Sequence, residues 1–357
     1  MDPQTTALEQ RPSPALRVHD LVKHFQPRKG WLTWKDPLPV RAVDGVTFSV
    51  PAGETLGLVG ESGCGKTTLG RLVLQLVPPT SGEVYLGERL ISNLNTGELR
   101  NVRRDLQVVF QDPYASLNPR MTVLDIISEA PVVHGLWRRS ERREHVAELL
   151  GKVGLSRDQM TRLPREFSGG QRQRIGIARA LAMSPKVIVC DEPVSALDVS
   201  IQSQILNLMV DLQRQLGLTY LFIAHNLAVV RHISHRVGVM YLGRLVELAE
   251  VDDLYQEPKH PYTVSLLSAV PEPDPTIRKA PVLLTGDVPN PSAPPSGCPF
   301  HTRCWLFEKL NRPVECTTVA PPLAGNGSDH LAACHFSGEV ASQRPLGDAP
   351  SAGAAPA

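Results

Sequence analysis

Gly60-Glu61-Ser62-Gly63-Cys64-Gly65-Lys66-Thr67-Thr68 decides the fold, together with the apolar run Thr55-Leu56-Gly57-Leu58-Val59 that leads into it. The stretch satisfies G-x-x-x-x-G-K-[ST], and a strand before it with a helix after it is the context that turns the pattern into a phosphate-binding P-loop. Its glycines let the backbone curl so that successive N–H groups point at phosphate oxygens, and the helix opening near Lys66 adds its partly positive end. The Lys66 ammonium is expected to reach the β- and γ-phosphates. The Thr67 hydroxyl is expected to take a position on Mg²⁺, a hard cation that prefers oxygen ligands.

The composition bounds what carries this loop. With 357 residues the chain accommodates one large domain and a smaller one. A formal net charge of +1 supplies no bulk field to attract nucleic acid or an anionic membrane surface. There is no apolar run of about eighteen residues and no charged-then-apolar leader, so the expected location is the cytosol, with any membrane attachment made through a partner. Of the six cysteines, Cys64 and Cys190 sit inside the nucleotide motifs, while Cys298, Cys304, Cys316 and Cys334 gather near the C-terminus. In a reducing compartment such a group reads as metal-binding before disulfide.

In chain order, residues 1–14 are polar and proline-bearing and read as a mobile tail; order is expected from Ala15-Leu16-Arg17-Val18. The run Leu21-Val22-Lys23-His24-Phe25 ends on an aromatic ring that can stack on adenine, the alternative being a half-buried aromatic at a strand end. Val46-Thr47-Phe48-Ser49-Val50 alternates as a strand, and Pro51-Ala52-Gly53-Glu54 turns the chain into the P-loop strand. The helix after the loop is expected over residues 68–77, stopped by Pro78-Pro79. Leu106-Gln107-Val108-Val109-Phe110 is a further strand that delivers Gln111 at its C-terminal end, where ligands of open α/β sheets lie, next to Mg²⁺ or water. Residues 113–165 change to helical periodicity and read as an insert, with the charged run 138–144 as a solvated helix face.

Phe167-Ser168-Gly169-Gly170-Gln171 precedes an amphipathic helix, with Ser168 as its N-cap. Two glycines at a helix start leave N–H groups bare, which makes a second anion-binding device. One P-loop has little use for two phosphate cradles, so Ser168, Gly169, Gly170 and Gln171 are assigned to a nucleotide held by a neighbouring subunit. Lys186-Val187-Ile188-Val189-Cys190 is a continuous apolar run, the pattern of a strand buried on both faces, ending in Asp191-Glu192. Asp191 is expected to hold Mg²⁺ and Glu192 to polarise an attacking water. Ser195-Ala196-Leu197-Asp198 follows as a turn. Thr219-Tyr220-Leu221-Phe222-Ile223-Ala224 is the next buried strand, presenting His225 on the sheet edge of Asp191 and Gln111.

These segments, in this order, resemble the motifs of an ABC transporter ATPase subunit: Walker A over residues 60–67, the Q-loop at Gln111, the LSGGQ signature with Phe167 for Leu, Walker B over 187–192, the D-loop over 195–198 and the H-loop at His225. The resemblance covers roughly residues 15–255. It narrows at Phe110-Gln111-Asp112-Pro113-Tyr114-Ala115-Ser116-Leu117-Asn118-Pro119, His260-Pro261-Tyr262-Thr263 and Pro294-Pro295-Ser296-Gly297-Cys298-Pro299-Phe300. These are similar to the ATPase subunits of bacterial dipeptide and oligopeptide importers. The long N-terminal insert with Trp31 and Trp34, and Val194-Ser195-Ala196-Leu197-Asp198-Val199-Ser200, favour the F-type subunit. Asn226 departs from the Asp usual after the histidine, which puts a hydrogen bond near His225 in question.

The resemblance implies an α/β fold, a RecA-like P-loop NTPase core over residues 15–255 with the helical subdomain at 113–165 and a small Cys-containing extension over 256–336. It implies ATP and Mg²⁺ as ligands, Lys66, Gln111, Glu192 and His225 as the hydrolytic group, and Asp198 beside the nucleotide. Two ATPase subunits, different or identical, would face head to tail, each ATP lying between one chain's Lys66 loop and the other's Ser168 helix. Two transmembrane permease subunits would bind this pair at the cytoplasmic face of the membrane, with an extracytoplasmic solute-binding protein acting indirectly. Related importers carry nickel, glutathione or oligosaccharides. A different class, soluble ABC ATPases acting in translation or on DNA, usually carries two cassettes or a long coiled coil; this chain has one motif set and no sustained heptads. A small-molecule kinase would leave the Ser168 helix unexplained.

The four late cysteines follow C-x5-C-x11-C-x17-C, which matches neither zinc knuckles nor a ferredoxin run. Residues 261–295 read as a proline-rich connection, and the segment after it has too few apolar residues for a sound core, a constraint that a metal centre would supply. The resemblance implies a [4Fe-4S] cluster there, with Zn²⁺ as the alternative. Its expected role is to hold the extension or sense redox state, because nothing in the sequence places it near the phosphates. Residues 337–357 are expected to be a second tail.

Overall fold

The structure is a computed structural model that describes residues 14–26, 38–270, 282–325 and 327–343. The N-terminal tail as far as residue 13, Trp31 and Trp34, and the C-terminal tail from residue 344 lie outside the described residues.

Two long strands, Pro14–Phe25 (β1) and Val40–Pro51 (β2), alternate inward and outward, so Leu16, Val18, Val46, Phe48 and Val50 share one buried face. They are followed by Thr55–Val59 (β3), the P-loop, Lys66–Val73 (α1), Ser81–Leu86 (β4) and Arg89–Leu90 (β5). Strands β1, β2, β4 and β5 form an antiparallel sheet in the order β2-β1-β4-β5. Helix α1 ends well before the prolines expected to stop it: Leu74 caps it, Gln75 takes a left-handed φ of 53°, and the Leu76 N–H bonds back to Arg71 O.

Thr96–Asp105 (α2), opened by an Asn95–Glu98 capping box that the sequence reading passed over, leads into Leu106–Val109 (β6). The insert holds Val123–Val133 (α3) and Arg142–Lys152 (α4). Then come Gly169–Leu181 (α5), Val187–Asp191 (β7), Val199–Leu216 (α6), Thr219–Ile223 (β8), Leu227–Ile233 (α7), Arg236–Tyr241 (β9) and Arg244–Glu250 (β10). The main sheet runs β11-β10-β9-β3-β8-β7-β6, where β11 is Leu331–Ala332, and its five strands from β9 to β6 are parallel. Every residue of β3 and β8 is buried, as befits parallel strands covered on both faces. Register aligns Leu58 with Ile223, Ile223 with Asp191, and Cys190 with Val109. The segments leaving these strands therefore emerge side by side along one edge.

The extension is built onto this sheet. Val251–Gln256 (α8) and Pro261–Ser268 (α9) follow β10, so the expected proline-rich connection begins with a helix that Pro261 opens at its first position. Trp305–Lys309 (α10), Glu315–Thr318 (α11), β11 and Val340–Gln343 (α12) complete it. Strand β11 pairs antiparallel with β10, Phe300 packs edge-on at 5.2 Å against Tyr241 of β9, and Val340 is buried, so part of the expected second tail is ordered structure. Glu247 of β10 is fully buried and accepts from the N–H groups of Lys259 (2.6 Å) and His260 (3.0 Å) and pairs with His330 Nε2 (2.6 Å).

Candidate functional site

The P-loop backbone requires its glycines where other chain segments press on it. Gly60 has φ 150° and a Cβ there would lie 2.2 Å from Met240 O; Gly65 has φ 106° and its Cβ would lie 2.1 Å from Ala42 O. The loop curls round the Lys66 side chain, which is buried and donates to Gly60 O (2.7 Å) and Glu61 O (2.9 Å). Thr67 Oγ1 donates to Asp191 Oδ1 at 3.2 Å, which joins the loop to the end of β7. Burial raises Asp191 above the usual carboxylate range, the Thr67 hydrogen bond opposes this, and the neighbouring Glu192 adds to it. A half-buried carboxylate beside a hydroxyl, under such stress, fits a hard divalent cation such as Mg²⁺.

Glu192 stands at the turn after β7 in a left-handed conformation, φ 47°, with its N–H bonded to Ile223 O at 2.9 Å. That conformation is costly for a residue with a Cβ and is sustained only where the surroundings over-determine it. Its carboxylate accepts from Gln111 Nε2 at 2.8 Å and lies 3.3 Å from His225 Nδ1. Gln111, Glu192 and His225, from three different strand ends, thus meet, with Thr67 and Asp191 alongside. Gln111 directs its amide to Glu192, and among the described residues it has no hydrogen bond to the Thr67–Asp191 pair. Asn226 Oδ1 accepts the Ala228 N–H at 2.9 Å and caps α7, a role in which Asn and Asp serve equally.

Ser168 caps α5, its Oγ accepting the Gln171 N–H at 3.3 Å while the Gln171 side chain accepts the Ser168 N–H at 3.0 Å. Gly169 and Gly170 lie against Leu197 and Ile201, which flank Asp198, so the signature turn and the D-loop make one surface. Ser168 and Asp198 are bonded to neither the P-loop nor Glu192 among the described residues. Phe25 ends β1 partly exposed, with the Lys23 ammonium 5.1 Å from its ring.

The extension touches the P-loop through Arg303 and Tyr262, a contact that the sequence reading did not anticipate. Arg303 forms a two-pronged pair with Glu61, Nη1 to Oε2 at 2.7 Å and Nη2 to Oε1 at 3.1 Å, and the Glu61 N–H donates to the Tyr262 hydroxyl at 2.9 Å. Sequence reasoning quoted Tyr262 only as part of a motif and passed over Arg303, for which no local pattern exists.

The expected metal centre is corrected in part. Among the described residues no group of three or more His, Cys, Asp or Glu side chains is disposed to hold a metal ion. Cys298, Cys304, Cys316 and Cys334 are free and near enough to influence one another, yet burial pushes Cys304 and Cys334 up to about 12 and Cys316 up to about 11. The Cys304 sulfur accepts the Phe307 N–H at 3.4 Å. Among the described residues there is thus no assembled site for an iron–sulfur cluster or zinc.

A P-loop, a strand-end acidic pair, a glutamine and a histidine gathered at one sheet edge, with a glycine signature behind the exposed Ser168 at the start of its own helix, define an ATP-binding cassette. Residues 43–195 match the ABC transporter family, and residues 246–309 match the C-terminal region of oligopeptide/dipeptide transporters. The oligopeptide transport ATP-binding protein AppF of Bacillus subtilis is 51% identical over 90% of this chain and 97% of its own length. The oligopeptide transport ATP-binding protein OppF of Escherichia coli is 53% identical over 87% and 93%. Among solved structures, the dimeric cassette MJ0796 in a post-hydrolysis state with ADP and Pi is 28% identical, covers 66% of this chain and 98% of its own, and superposes with a TM-score of 0.59. The chain belongs to the ABC transporter family, among the ATP-binding proteins of oligopeptide transporters.

Proposed function

We propose that this chain hydrolyses ATP to energise the import of dipeptides or oligopeptides through an ABC transporter. The convergence of Gln111 and His225 on Glu192, beside Lys66 and the Thr67–Asp191 pair, carries this reading. In it, Lys66 releases its loop carbonyls and neutralises the β- and γ-phosphates, and Glu192 orients a water in line with the γ-phosphorus and takes its proton. His225 and Gln111 hold the Glu192 carboxylate in place. Thr67 and Asp191 would hold Mg²⁺, which supplies charge neutralisation when bound. The Ser168–Gln171 turn, with Ser168 exposed, and Asp198 would meet the nucleotide of a second ATPase subunit, identical or related, and Phe25 would stack on adenine.

The remaining partners are two membrane permeases bound at the cytoplasmic face, with the helical subdomain at 113–165 and Gln111 passing motion to them. Among the described residues no helix is long and apolar enough to cross a membrane, in keeping with attachment through such partners. The peptide assignment is supported by the match of residues 246–309 and by relatives named for oligopeptide transport; nickel, glutathione and oligosaccharides are the competing cargoes. A [4Fe-4S] cluster or Zn²⁺ at the four cysteines rests on family resemblance alone, and iron and zinc analysis of anaerobically purified protein tests it.

Co-expression with two membrane permease subunits of the oligopeptide-transporter type is the central test. Co-purification as a complex whose ATPase is stimulated by peptide-loaded binding protein is expected. Stable association with ribosomes or DNA, and with no membrane protein, would overturn the reading.

A further inference from the structure

The geometry points to Arg303 as a positioning residue of the nucleotide site, by which the extension holds the P-loop ready for phosphate. The argument begins with Glu61, the second residue of that loop, which is tied at three places. Its carboxylate takes both Arg303 prongs, its N–H donates to Tyr262 Oη, and its carbonyl accepts from Lys66 Nζ at 2.9 Å. Two of these three ties come from the extension.

Arg303 is itself fixed. It is 7% exposed, closes the short 3-10 turn His301–Arg303, donates its N–H to Phe300 O at 2.9 Å, and holds its guanidinium 6.0 Å from the centre of the Tyr241 ring. Phe300 beside it packs on Tyr241 and Tyr262 at 5.2 and 5.3 Å, so the turn is anchored in the aromatic core under the loop.

Two physical consequences follow for ATP. A loop already ordered by the clamp loses less conformational freedom when phosphate arrives. Glu61 also puts a negative charge on the lip of an anion site, and the fork of Arg303 neutralises it where lysine, a point charge, would not hold its geometry. Removing Arg303 therefore leaves a looser loop and an uncompensated carboxylate facing an incoming anion. Arg303 acts through Glu61 and, among the described residues, has no hydrogen bond to Lys66, Thr67, Asp191 or Glu192, so binding should suffer more than turnover.

This rests on the loop being the nucleotide cradle, and the test separates the two. Equilibrium ATP binding is measured on the full chain, and ATPase on the complex with its permeases. Arg303→Ala is expected to raise Kd and KM for ATP about tenfold while kcat at saturating ATP stays within about threefold. Glu61→Ala added to Arg303→Ala is expected to recover much of the affinity, because the exposed charge goes with it, a recovery that a purely structural role would not give. Arg303→Lys, which keeps charge and bulk, is expected to raise KM about threefold, and it decides the matter if Arg303→Ala fails to fold. Wild-type KM in both Arg303 variants, or a double variant no better than Arg303→Ala, overturns the inference. Undiminished ATP binding by Lys66→Ala would instead overturn the cradle itself.

Discussion

The Gln111 amide donates to the Glu192 carboxylate at 2.8 Å, joining residues 81 positions apart at the ends of neighbouring strands β6 and β7. The linker into the helical insert is thereby bonded to the carboxylate proposed to handle water, and under that proposal a movement of the insert would reach it through one hydrogen bond. The bond also fixes a carboxylate that stands on a strained left-handed backbone.

Glu192→Gln keeps the shape and loses the proton acceptor. ATP binding should persist, closed two-subunit complexes should accumulate, and turnover should fall at least about a hundredfold. Single-turnover hydrolysis in the assembled transporter checks this; near-normal rates would remove Glu192 from the role.

Ser168→Arg puts a bulky cation on an exposed turn that makes no bond to its own P-loop. Hydrolysis in the complex should be lost while the isolated chain binds ATP as before, at a cost of about 1 kcal/mol for the lost cap. Isothermal titration of the folded single chain reads the affinity, and a fall in it would mean that the turn serves its own nucleotide.

Glu247→Ala leaves the Lys259 and His260 N–H groups and the His330 ring without their buried acceptor. Each unpaired N–H costs about 1–3 kcal/mol, so a loss of roughly 3 kcal/mol is expected, with Glu247→Gln losing less. Denaturant unfolding followed by tryptophan emission measures it, since Trp305 in the extension donates to Pro261 O at 3.1 Å. Unchanged stability would mean that the extension does not depend on this anchor.

Stability should fall in mild acid partly through His260. Burial holds this fully enclosed imidazole neutral, down to about 3, with a backbone hydrogen bond to Ala333 opposing the shift, and its Nδ1 accepts the Tyr262 N–H at 3.1 Å. The folded state then binds fewer protons than the unfolded state between about pH 6.5 and 3. Its contribution is whole above about 6.5 and is lost as pH falls, by up to about 1.4 kcal/mol per unit. His260→Asn, which can still accept from Tyr262, should flatten the urea-unfolding profile over pH 5–7; an unaltered slope would acquit His260.

The nucleotide motifs were legible in the sequence because each is short and its meaning is local. A glycine-rich turn between an apolar strand and a helix has few other uses, and continuous apolar runs such as Lys186 to Cys190 announce strands buried on both faces. Adjacent parallel strands then bring Gln111, Asp191, Glu192 and His225 to one edge without further information. Strands β9 and β10 and helix α2 went unread, although Asn95 and Glu98 carry an ordinary capping-box signal. Only the tertiary structure decided where the extension docks. The Glu61–Arg303 pair spans 242 residues, the Glu61–Tyr262 bond 201 and the Glu247–His330 pair 83. No periodicity or spacing encodes such pairs, because they depend on β11 being added to the sheet and on the aromatic rings of Tyr241, Tyr262 and Phe300 packing on one another.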